Sequence, residues 1–119
     1  MSAAIFKCVK CTIQSGAFSG EWVFTVRLAD GETLKSVASK RYLFDDKRKP
    51  LRDNVPAPGK SIEGFVFCRF IEKGEAGNSV VEVPSAELIY VADKDLVDAT
   101  WPPQEVQNVS VGSRSGVGG

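Results

Sequence analysis

The chain has 119 residues, 43% apolar and 25% charged, with fifteen Lys and Arg, fifteen Asp and Glu, and no histidine. These are the proportions of one ordinary globular domain, long enough to bury its own core, and no apolar run approaches the ~18 residues of a membrane span. Without histidine the commonest general base, the Ser-His and Cys-His nucleophile pairs and most catalytic zinc sites are excluded.

Lysines at 7 and 10 interrupt any leader segment at the N-terminus. The expectation is a cytoplasmic protein with no targeting signal, whose three cysteines are reduced thiols rather than a disulfide framework. Asn108 begins a glycosylation tripeptide, which carries no weight without secretion. The neutral total hides a split. Residues 1–70 carry 12 Lys and Arg against 7 Asp and Glu, whereas residues 71–119 carry 3 against 8. A dipolar molecule of this kind suits a polyanion, or a copy of itself met head to tail, unless the charges only solvate the surface.

In chain order, residues 4–14 alternate, with Ile5, Val9, Cys11 and Ile13 on one face and Lys7 the exception. A turn cluster at 15–20 follows. Residues 21–29 alternate more cleanly, with Trp22, Phe24, Val26 and Leu28 inward. Asp30-Gly31 then predicts a hairpin with a type I′ turn. A third strand is expected in residues 32–39, although Leu34, Val37, Ala38 and Tyr42 also fit helical spacing, and a helical turn near 38–44 is compatible. Residues 45–60 read as a long connection, because Pro50, Pro56 and Pro58 oppose both ladder and helix.

The fourth strand is residues 61–73. A Gly-containing loop at 74–78 leads to a fifth at 79–83, Pro84 interrupts, and residues 86–92 form a sixth strand or extend the fifth. From Asp93 the alternation fades. The prediction is an all-β fold: a small five- to six-stranded antiparallel barrel with OB-like or SH3-like strand order and a long loop between the third and fourth strands. Residues 1–99 form the single domain, and residues 100–119 are a Trp-Pro-Pro segment and a flexible Gly/Ser/Val-rich tail.

The short motifs are weak. Cys8 and Cys11 form a lone CxxC, but three residues apart on a strand they face opposite ways, and Cys68 is the only further thiol. Packing is the expected role of all three, with no metal. Gly59-Lys60-Ser61 lacks the upstream glycine and the following helix of a phosphate loop. Asp93, Asp95 and Asp98 lack the glycine and distant Glu of a calcium loop. No catalytic residue or cofactor is expected.

Two features suggest binding. Residues 40–60 hold Lys40, Arg41, Lys47, Arg48, Lys49 and Arg52, with Tyr42 and Phe44 among them. Cations interleaved with aromatics suit single-stranded nucleic acid. The fourth strand, meanwhile, is apolar on both faces. Ile62, Gly64, Val66, Cys68 and Phe70 fit a core, which leaves Phe65 and Phe67 beside Arg69 in need of cover. The 40–60 loop, a second subunit, or stacked bases would each supply it. Trp101, followed by two prolines, docks either on the barrel or on a neighbour, and Val109 and Val111 suit addition to another chain's sheet edge. The expected function is non-enzymatic: a protein-binding or self-associating module with Phe65, Phe67, Arg69, Trp101, Val109 and Val111 at the interface. The alternative is single-strand nucleic-acid binding through the basic loop, and no membrane role is expected.

Overall fold

A computed structural model describes residues 4–16, 21–51 and 56–100. They form an all-β, antiparallel sheet curled into a half-barrel. Its strands are β1 (Ile5–Ser15), β2 (Glu21–Arg27), β3 (Thr33–Ser39), β4 (Leu43–Asp45), β5 (Ser61–Lys73), β6 (Asn78–Glu82), β7 (Leu88–Ala92) and β8 (Leu96–Ala99). The main path runs β3-β2-β1-β5-β6-β7.

The long strands β1 and β5 form the spine, paired from Ile5↔Phe70 to Gln14↔Ser61. Each is longer than its other neighbours, so each shares its second edge between two strands. On β1, β8 takes Phe6–Val9 and β2 takes Thr12–Ser15. On β5, β4 takes Gly64–Val66, and β6 takes Arg69–Lys73, with a bulge between Phe70 and Glu72 inside that ladder. Bulges sharpen strand twist, which suits a curling sheet. The Ala29 amide, in the β2–β3 turn, donates to the Tyr90 carbonyl on β7 at 2.8 Å. That bond draws the two ends of the sheet together.

Alternation dictates the core. Val9, Cys11 and Ile13 of β1, Phe24 and Val26 of β2, Ala38 of β3, Val66 and Cys68 of β5, Val81 of β6, and Ile89 and Val91 of β7 are all buried on the concave side. Leu43 of β4 and Leu51, which follows Pro50 in the connection, join them. Ile5, assigned inward by its parity, is 53% exposed at the first position of β1.

Several local expectations are corrected. Of the Asp30-Gly31 pair, only Gly31 has positive φ, at 92°. Gly31 N–H donates to Leu28 O at 3.0 Å, and Leu28 N–H to Glu32 O at 2.8 Å. That is a type I turn with a left-handed residue and a bulge, not a type I′ turn. The Asp30 carboxylate explains the choice, since it accepts from Glu32 N–H at 2.9 Å and holds the longer turn.

Residues 34–44 resolve into strand to Ser39, a 3-10 turn over Lys40–Tyr42 capped by the Ser39 hydroxyl, and the short β4. The connection is therefore not all loop. Phe44 forms a bridge with Pro50, which closes a tip at residues 46–49. A strand, β8, also stands where alternation had faded. Its four residues are too few to display a period. Residues 86–92 give a strand of their own, β7, after a turn in which Ala86 N–H donates to Val83 O at 2.8 Å. Of the predicted C-terminal segment, 100–119, all but Thr100 lies outside the described residues.

Candidate partner-binding face

Both faces of β5 are apolar because both are packed. The concave face belongs to the core. On the convex face a second cluster forms around Cys8, Phe44 and Phe67, each no more than 6% exposed. Phe6, Tyr42, Phe65, Val97 and Ala99 pack against it, half-buried.

Strand register places these side chains. Cys8 lies between Phe67 of β5 and Val97 of β8. Phe6 lies between Arg69 and Ala99, and Phe65 between Lys10 and Phe44. The Phe6 and Phe67 rings stack with centroids 5.3 Å apart. Tyr42 tilts against Phe67 at 6.2 Å, and Arg41 lies over the Tyr42 ring at 5.4 Å.

Two concavities flank this cluster. One, of about 250 Å³, is walled by Phe6, Tyr42 and Phe67 on one side and by Pro84 and Ala86 of the β6–β7 turn on the other. Arg69 crosses it and places Nε at 3.0 Å and Nη2 at 2.9 Å from Glu82 Oε1. The other, of about 550 Å³, exposes Phe65 among Lys10, Lys94, Asp46, Glu63 and Asp95. Charges cancel in the first concavity and leave a slight acidic excess in the second.

Of the basic residues predicted as contacts, those described stand on two segments, either side of β4. Lys40 and Arg41 belong to the 3-10 turn before β4, whereas Lys47, Arg48 and Lys49 are exposed on the tip after it. The tip is held from beneath. Buried Asp45 accepts from the amides of Lys47 and Lys49, each at 2.9 Å through Oδ1. Arg48 adopts a left-handed φ of 65°. Arg52, Trp101, Val109 and Val111, all predicted site residues, lie outside the described residues.

Of the predicted interface, Phe65 remains half-exposed, Phe67 is closed into the chain's own cluster, and Arg69 is engaged by Glu82. Sequence reasoning missed Phe6, Cys8, Val97 and Ala99. A signal for the first two existed: they occupy the outward parity of β1, as Phe65 and Phe67 do on β5.

The thiols are packing groups in geometry. Cys11 and Cys68 lie in the core and Cys8 in the outer cluster, so strand alternation separates Cys8 from Cys11. Burial raises the pKa of all three, Cys8 to about 12 against an opposing pull from Arg48. Cys68 Sγ donates to the Lys7 carbonyl at 3.4 Å. Among the described residues no three Cys, Asp or Glu side chains gather as a metal-binding set, and no helix is long and apolar enough to cross a membrane.

The chain matches no known protein family, no curated protein and no solved structure.

Proposed function

We propose that this protein is a non-enzymatic binding module that recognises protein, a second copy of itself foremost, through the convex face of β1 and β5. The observation that carries the reading is the second aromatic layer on β5. A sheet that already has a core gains a further apolar face, with Phe65, Phe6 and Tyr42 half-exposed at its rim. Aromatic residues at a rim without a strong positive field suit a protein partner, because aromatics are enriched at interfaces. The C-terminal tail, carrying Trp101, Val109 and Val111, is a second contact in the same reading. The sheet order β3-β2-β1-β5-β6 follows that of an OB-like barrel with β7 added, an analogy of fold that carries no function by itself. The reading places the protein in the cytoplasm, without a cofactor.

Light scattering behind a sizing column, over a wide concentration range, tests it. Concentration-dependent mass that falls on substituting Phe65→Ser is expected. A strict monomer, for the full chain and for a form lacking residues 100–119 alike, would overturn the self-association.

One observation favours single-stranded nucleic acid instead. The rigid tip Lys47-Arg48-Lys49 stands near Phe65, with Asp46 lining the same concavity. Against it, that concavity holds three carboxylates and two lysines, where a phosphate backbone needs positive field. Salt-dependent binding to a labelled oligonucleotide, lost on Lys47→Glu, would establish this alternative.

A further inference from the structure

We propose that copies of this chain associate head to tail, the basic tip 46–49 of one against the acidic turn 72–75 of the next. The inference rests on the self-association reading above and adds to its convex face a second contact between copies. Two hairpin tips project from opposite ends of β5. At one end Asp45 pairs with Gly64, and the chain continues into Asp46, Lys47, Arg48 and Lys49. At the other, β5 runs out through Glu72 and Lys73 into the turn that carries Glu75. Between Gly64 and Lys73 lies about 30 Å of strand at ~3.3 Å per residue.

The two tips carry opposite charge. Lys47, Arg48 and Lys49 are exposed, and against the single Asp46 among residues 46–49 they leave that tip basic. Glu72 and Glu75 are exposed, while Lys73 between them is neutralised by Asp93.

Both tips are also stiff. Asp45 holds the basic one through two amides. Tyr90 holds the acidic one: Glu75 N–H donates to the Tyr90 hydroxyl at 2.8 Å, and that hydroxyl donates to the Glu75 carbonyl at 3.3 Å. Asn78 N–H donates to Glu75 O at 3.1 Å, and Ala76 and Gly77 take left-handed φ values of 54° and 78°. A charged tip held rigid loses little entropy when it docks. Opposite tips at opposite ends cannot satisfy one another within one molecule. They meet between molecules, as a heterologous contact that builds a ring or an open row.

The test is charge reversal and rescue on the full chain, followed by sedimentation velocity. One variant carries Lys47→Glu, Arg48→Glu and Lys49→Glu. The other carries Glu72→Lys and Glu75→Lys. Circular dichroism and a melting curve confirm that both fold, as substitutions at exposed positions should. Wild-type association should weaken with added salt. Each variant alone should associate at least about tenfold more weakly, and an equimolar mixture should recover association, because each variant's tip then meets a turn of opposite charge on the other. Association that ignores salt, ignores either reversal, or is not recovered on mixing overturns the head-to-tail contact and leaves the convex-face reading standing. A wild-type chain that stays monomeric at every concentration overturns both.

Discussion

A methyl group added at Gly64 would stand 2.3 Å from the Phe44 carbonyl oxygen and 2.7 Å from Ile13 Cδ1. The nearer atom is backbone of β4 and cannot swing aside, so glycine is required for the close approach of β4 to β5. Gly64→Ala should destabilise by roughly 1–3 kcal/mol, the range for overpacking a filled site, seen as a lower urea midpoint. The cysteines make a second demand at this scale. Burial raises all three thiols, so thiolate is scarce and the sulfurs are shielded. Alkylation at neutral pH should therefore proceed only as fast as the fold opens. Rapid modification of any one thiol in the native protein would contradict its placement.

Among elements, β5 has the unusual task of serving two layers. Phe67 is 5% exposed between Cys8 and the rings of Phe6 and Tyr42, so Phe67→Ala should cost ~3–5 kcal/mol of stability. Phe65 is half-exposed, and Phe65→Ser should cost less stability while weakening association. Measuring melting temperature and mass on both variants separates a packing role from a contact role.

The spine of this fold was legible because β1, β2 and β5 are long enough for alternation to show, and each carries branched or aromatic residues at period 2. β4 and β8 were not, since three and four residues contain no period. Phe65 and Phe67 announced a second layer on β5. Its composition was hidden, because register alone brings Cys8 and Val97 beside Phe67, and register is a long-range property that no local window contains.

For the whole molecule, polar ties at Asp93 and Asp98 fasten the segment after β7 to the earlier strands. Asp93, just past β7, takes hydrogen bonds from Lys73 of β5 and Ser79 of β6. Asp98 of β8 takes one from Lys7 of β1 at 2.7 Å. The Lys73 and Ser79 bonds hold the Asp93 carboxyl below its ordinary pKa, and the Lys7 bond does the same for Asp98. An unfolded aspartate titrates near ~3.9. Both groups therefore bind protons more weakly folded than unfolded, and linkage fixes the sign. Their contribution is complete above about pH 4 and is lost as pH falls through the lowered folded values. Chemical denaturation followed from pH 7 downward should show a midpoint that drops below about pH 4. Asp93→Asn should lower the midpoint at neutral pH and flatten that acid limb, because the proton-linked bonds are already gone. If the variant and wild-type curves stay parallel to the lowest pH, Asp93 does not fasten β7 to the spine, and the bond from Ala29 to Tyr90 must hold that end of the sheet with less help than the geometry assigns.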